Sequence, residues 1–185
     1  NFSREGRLEE LLKSMAASPL ALNTDDANEQ HYEVPTEFYD FTLGEHKKYS
    51  CCLFDANVNN LSIAEESMLS VSCERAEIED GMQILELGCG WGSLTLWLGK
   101  HYPQAKVTAV SNSTTQKTYI DRKAAEQGIK NINVVTCDMN DFATDETFDR
   151  VLSIEMFEHM RNYETLFERI STWLRPTGKL WFHIF

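Results

Sequence analysis

Two stretches of the chain hold residues whose types and spacing can do chemistry. Glu155, Met156, Phe157, Glu158 and His159 place two carboxylates and an imidazole directly after an apolar run, Arg150 to Ile154, that reads as a strand. Side chains at the carboxyl end of a parallel strand face the crevice in which such sheets bind ligands. Glu155, Glu158 and His159 can there hold a cation and take its proton. Composition alone allows a plainer reading, a solvated helix start with Glu155 favoured by the helix dipole. The second stretch, Ile84 to Leu96, reads ILELGCGWGSLTL. Its glycines let the backbone bend sharply and approach a ligand, while the helix that follows offers unpaired N–H groups. A dinucleotide site wants GxGxxG; here Gly88, Gly90 and Gly92 are spaced GxGxG, with Glu86 just ahead. A carboxylate in that place suits a ligand carrying an ammonium and a sulfonium better than one carrying two phosphates. That ligand is S-adenosylmethionine.

An adenosine ribose is commonly held by an acid about 20 residues beyond such glycines. Val110, Ser111, Asn112 and Ser113 stand there instead, so neutral groups such as Asn112 or Gln116 must make the contact. After the third strand, Asp138 is placed to accept from the adenine amine; it reads equally well as a solvated loop acid.

The elements that must position these groups follow from periodicity. From Met82 onward short apolar strands alternate with helices: Gln83 to Leu87, Lys106 to Val110, Asn133 to Thr136, Arg150 to Ile154 and Lys179 to Phe185, with helices over Gly92 to His101, Thr114 to Gln127 and Tyr163 to Trp173. Pro176, Thr177 and Gly178 read as a turn before the last strand. This alternation predicts an α/β fold, a parallel sheet with helices on both faces. Ahead of it, Leu8, Leu11, Leu12 and Met15 mark an amphipathic helix over Arg4 to Ala17. The polar stretch Asn23 to Gln30 follows, and Pro35 opens a short helix that Gly44 ends. Ser62 with Glu65 forms a capping box for a helix through Ala76. Residues 1–80 are expected to form a helical cap and 81–185 the core, together one domain. A doubly wound sheet normally has further strands covering its edge, so the chain is expected to be truncated after its fifth strand.

The net charge is −12, and no basic stripe with interleaved aromatics is present. Phosphate-rich partners are disfavoured, nucleic acid above all, while a cationic small substrate is electrostatically easier. The same repulsion opposes anionic lipid, save for a local basic patch at His46, Lys47 and Lys48. No apolar run approaches the ~20 residues of a membrane span, so no stable insertion is expected. The first residues lack the apolar core of a secretory signal. Five cysteines, Cys51, Cys52, Cys73, Cys89 and Cys137, show no paired CxxC pattern, which fits a reducing cytoplasm. No metal-ligand spacing stands out, and oligomeric state is not encoded in any pattern found.

The pieces HYEVPTEFYD, KYSCCLF, LELGCGWGSL, SNSTTQK and SIEMFEHM, in this order from about Asn28 to the end, resemble the cyclopropane fatty acid synthase superfamily, especially its coclaurine N-methyltransferase-like plant branch. The resemblance implies a Rossmann-like class I methyltransferase. It implies that Tyr49 and Ser50 close over the methionine end of S-adenosylmethionine, that Gly88 and Gly90 line it from below, that Asn112 and Gln116 reach the ribose, and that Asp138 and Met139 lie near the adenine. Similarity to the N-methyltransferase branch makes Glu155, Glu158 and His159 candidate catalytic groups. The branch acting on lipid alkenes matches at Glu158 but lacks the first carboxylate, and there Cys51, Glu158 and His183 would help hold a bicarbonate ion acting as base. Read without that context, Cys51 and Cys89 are small buried hydrophobes and His183 a satisfied core histidine.

Three functions compete on this reading. N-methylation of a small amine comes first: the acids attract the ammonium, and an imidazole, which changes charge nearest neutral pH, takes or relays the proton. Cyclopropanation of unsaturated phospholipid acyl chains comes second, and cofactor binding without turnover third.

Overall fold

The five apolar runs form one parallel sheet, in a chain of which the computed structural model describes residues 4–22 and 35–185. The polar stretch Asn23 to Gln30 and the His31–Val34 part of the aromatic motif lie outside the described residues. The strands are β1 (Gln83–Leu87), β2 (Lys106–Ser111), β3 (Ile132–Thr136), β4 (Phe148–Ile154) and β5 (Leu174–His183), in spatial order β3-β2-β1-β4-β5. The helices are α1 (Arg4–Ala16), α2 (Thr36–Thr42), α3 (Leu61–Arg75), α4 (Ser93–His101), α5 (Thr114–Gln127) and α6 (Tyr163–Trp173). The α/β expectation holds.

Alternation along β1 distributes the core to both faces. Leu85 and Leu87 pack with Val110, Val151, Leu166, Ile170 and Trp173 beneath α6, while Ile84 joins Leu69, Leu98, Val107 and Leu152 beneath α3 and α4. Each such fully buried aliphatic side chain contributes about 2 kcal/mol. Chain order reverses between β1 and β4, whose pairing runs to Leu87↔Ser153. Ligands of open parallel sheets bind outside the strand ends at that point, and here the glycine bend after β1 and the acidic cluster after β4 meet.

Three local expectations are corrected. The capping box does not form: the cap sits two residues earlier, with Asn60 Oδ1 accepting from Ile63 N at 3.3 Å. Ser62 Oγ instead accepts from Glu45 N. The Glu65 carboxylate, fully buried, accepts from the backbone N–H groups of Gly44 at 2.9 Å, His46 at 2.9 Å and Lys48 at 3.2 Å. A tertiary site with several unpaired donors outcompetes a local cap. Glu65→Ala is therefore expected to lower the unfolding free energy by about 3 kcal/mol in urea, since it strands one buried and two part-buried donors. A loss below about 1 kcal/mol, the level of an ordinary surface change, would contradict this.

The Pro176–Gly178 turn lies within β5 rather than before it. Phe148 pairs with Leu174 and Arg150 with Lys179, so the intervening residues bulge out of register. On α1, Leu8, Leu11 and Leu12 remain exposed. The end of α1 and the segment after it dock: Asn162 Nδ2 donates to Ala16 O, Arg161 N and Asn162 N donate to Leu20 O, and Asn140 exchanges two hydrogen bonds with Ala21.

Candidate active site

At the carboxyl ends of β1, β2 and β4 lies a cavity of about 560 Å³, within the ~300–1,000 Å³ usual for small-ligand sites. Its floor is the glycine bend. Gly88 N and Cys89 N both donate to Val110 O, at 3.0 and 2.9 Å, which folds the chain tightly over the end of β2. Gly90 has φ +51, and a Cβ there would meet no protein atom within 4 Å, only the cavity. Gly92, at φ +77, is where a side chain would instead strike Ile120. The bend thus gives one glycine to the cavity and one to helix packing.

Tyr49, Ser50, Glu86, Gly88, Gly90, Asn112, Gln116, Asp138 and Met139 all line this cavity, as do Glu155, Glu158 and His159. Gln116 is buried, its Oε1 accepting from Ser111 Oγ at 2.6 Å, while its Nε2 has no partner among the described residues. Ser93 Oγ, at the start of α4, is likewise buried and unpartnered. Asp138 Oδ1 accepts from Asn140 N at 2.7 Å, which shapes the loop after β3.

The acidic cluster divides. Glu155 adopts φ +51, a left-handed turn uncommon outside glycine, and its N–H donates to His183 O at 2.8 Å. Its Oε1 lies 3.4 Å from Cys51 N and 3.5 Å from His183 Nδ1. Cys51 Sγ stands 3.8 Å from His183 Nε2. Cys51, Glu155 and His183 each bring one donor atom within 4.8 Å of the others, a set that can hold a metal ion. Neither Cys51 nor His183 lines the cavity wall with the other site residues. The buried-hydrophobe reading of Cys51 and the core reading of His183 both fail, since Cys51 is exposed and His183 only half-buried. Cys89 does follow that reading, packed with Tyr39, Trp91 and Ile120. Glu158 sits on the short 3-10 turn Phe157–His159. Its Oε1 accepts from Phe185 N at 3.0 Å, and its Oε2 is buried without a partner among the described residues. His159 is at the exposed lip.

Residues 22–185 match the family described as mycolic acid cyclopropane synthetase. The chain belongs to that family. It is 38% identical to (S)-coclaurine N-methyltransferase of Thalictrum flavum subsp. glaucum, over 94% of this chain and 48% of that one. A crystal structure of coclaurine N-methyltransferase bound to N-methylheliamine and SAH superposes with a TM-score of 0.91 at 38% identity, covering 98% of this chain and 53% of that one. The cyclopropane-fatty-acyl-phospholipid synthase of Escherichia coli (strain K12) is more distant, 29% identical over 83% of this chain and 39% of its own length. The chain spans about half the length of the curated relatives it matches.

In this member of the family Glu86 is buried at 3% exposure, with Thr95 Oγ1 donating to its Oε2 at 2.6 Å. Burial pushes its carboxyl up to about 7, against the opposing pull of that hydrogen bond and of the Lys48 charge. A carboxyl raised by folding contributes stability below its unfolded value, and this is lost as pH rises through the folded value. The ligand-free protein should thus lose on the order of 3 kcal/mol between pH 5 and pH 8 relative to Glu86→Gln. Urea unfolding of both at each pH measures it, and parallel profiles would contradict the assignment.

Sequence reasoning missed Lys47 and Lys48 on the cavity lining and Glu65 behind them. Lys47 and Lys48, read as a surface patch with His46, are buried: Lys47 pairs with Asp40, Lys48 donates to Ser50 Oγ, and His46 pairs with Glu66 at 3.2 Å. Glu65 was hidden behind a capping pattern. The available signal was position, since both lysines directly precede Tyr49 and Ser50.

Proposed function

We propose that this chain is the S-adenosylmethionine-binding part of a methyltransferase acting on the nitrogen of a small amine. One observation carries the reading: the glycine bend and Glu158, whose buried Oε2 has no partner among the described residues, line the same cavity. The fit to the cofactor rests on the open face of Gly90, the orphaned Gln116 Nε2 and Ser93 Oγ, and the paired signs of Glu86 and Lys48. In this reading Tyr49, Ser50, Gly88 and Gly90 enclose the methionine end, Asn112 and Gln116 take the ribose, and Asp138 and Met139 take the adenine. When bound, the cofactor supplies an electrophilic methyl group on a sulfonium, an excellent leaving group.

Because the leaving group needs no help, this chain's residues orient the acceptor and free its lone pair. Aliphatic amines are largely protonated near neutral pH. Glu158 attracts the ammonium with its free oxygen and takes the proton, and His159 at the lip passes it to solvent. Glu155 adds negative potential beside it. The amine relatives, at higher identity than the lipid one, support this choice. So does Glu155 itself, since its carboxylate stands between Cys51 N and His183, where the lipid-alkene reading would seat bicarbonate. The described part of the first 80 residues serves as a cap in this reading, and its 21–22 and 47–50 segments line the cavity. Five free cysteines suit a reducing cytoplasm; no helix among the described residues is long and apolar enough to cross a membrane.

The test is transfer of labelled methyl from S-adenosylmethionine to a panel of small amines and to vesicles of unsaturated phospholipid. Label in amines supports the proposal. Label in lipid favours cyclopropanation, and label in neither, with cofactor bound, leaves a binding module.

A further inference from the structure

Lys48 is a buried cation at a ligand cavity, only 3% exposed. An ammonium has three donors. One goes to Ser50 Oγ, and no ion pair involving Lys48 occurs among the described residues. Its neighbour Lys47, also on the cavity wall, is engaged by Asp40. A buried charge with no contact ion pair, steadied only by the more distant charges of Glu155 and Glu65, is costly, and the position is not accidental, because Glu65 pins the Lys48 backbone N–H from within the core. Glu86 lines the same cavity, a carboxylate with one oxygen occupied by Thr95. The cavity lining therefore includes a cation and an acid, each incompletely paired.

We infer that Lys48 seats a carboxylate, that of the amino-acid end of S-adenosylmethionine, while Glu86 takes the α-ammonium of the same group. This rests on the cofactor reading above and gives a role to the lysine that opens the KYSCCLF piece, to which the resemblance assigned none. The direction of the Lys48 perturbation agrees: burial pulls its ammonium below the usual lysine range, and an arriving anion would reverse that. Glu86, pushed up by burial, gains the complementary partner. A zwitterion repairs both at once, whereas a simple phosphate would repair one and repel the other.

Calorimetry with three probes tests the assignment: S-adenosylhomocysteine, which keeps the whole amino-acid end; decarboxylated S-adenosylmethionine, which keeps the amine alone; and 5′-methylthioadenosine, which keeps neither. Lys48→Met should bind S-adenosylhomocysteine about 30-fold more weakly than wild type, the size of a lost charge-assisted contact. Its affinity for the two probes without carboxylate should stay within about twofold, and Lys48→Arg should recover most of the loss. Equal weakening for all three probes would make Lys48 merely structural and overturn the inference. Unchanged binding of S-adenosylhomocysteine would overturn it while leaving the cofactor reading intact. Failure of wild type to bind any adenosyl probe would overturn both.

Discussion

Replacing Glu158 by Gln should lower amine methylation by about 100-fold or more while leaving S-adenosylhomocysteine affinity within about twofold, the signature of a lost acid–base group. Gln keeps an oxygen to accept from Phe185 N, so the contact that now holds Oε1 persists and the fold is spared. What disappears is the negative charge on the buried, unpartnered Oε2. An ammonium acceptor would lose its counter-ion and its proton sink together, so kcat/KM should fall further than kcat. Raising the pH should recover part of the loss, because a growing share of amine arrives already neutral. Turnover equal to wild type would remove Glu158 from the reaction. A parallel loss of cofactor affinity would recast it as a binding residue.

Gly90→Val is expected to have the opposite profile, abolishing S-adenosylhomocysteine binding by about 100-fold or more without unfolding the chain. Nothing in the protein fills the space a Cβ would enter there, so the branched side chain projects into the cavity itself. The φ of +51 adds backbone cost, roughly 1–2 kcal/mol for a non-glycine residue, more for a β-branched one. The strain falls on a loop, with β1 and α4 held by buried contacts on either side. Circular dichroism should therefore match wild type while calorimetry shows no binding. Retained affinity would mean that the bend only joins strand to helix.

These two positions were legible because their signals are local. Five apolar runs bounded by polar turns announce a parallel sheet, and a glycine bend placed between strand and helix announces its mouth. The contiguous Glu155–His159 cluster could be set beside that mouth from strand order alone. Its internal division could not. The left-handed turn at Glu155 sends that carboxylate toward Cys51 and His183, and no residue type there forecasts a positive φ. Glu65 shows the same limit from the other side. A capping pattern is a local signal, but the unpaired backbone donors of the 44–48 segment lie 17 or more residues away in sequence and win the carboxylate. Lys48 failed for a related reason: a lysine beside another lysine reads as solvated surface, and only the packed structure reveals it as a buried cation facing a cavity.

The central claim is that one cavity brings a methyl donor at the glycine bend to an acceptor held by Glu158. The most direct measurement is a crystal structure of the chain grown with S-adenosylhomocysteine. It should show the amino-acid end over Gly88 and Gly90, between Glu86 and Lys48, with the sulfur facing the space bounded by Glu158. Density elsewhere, or an open bend at saturating ligand, would contradict it.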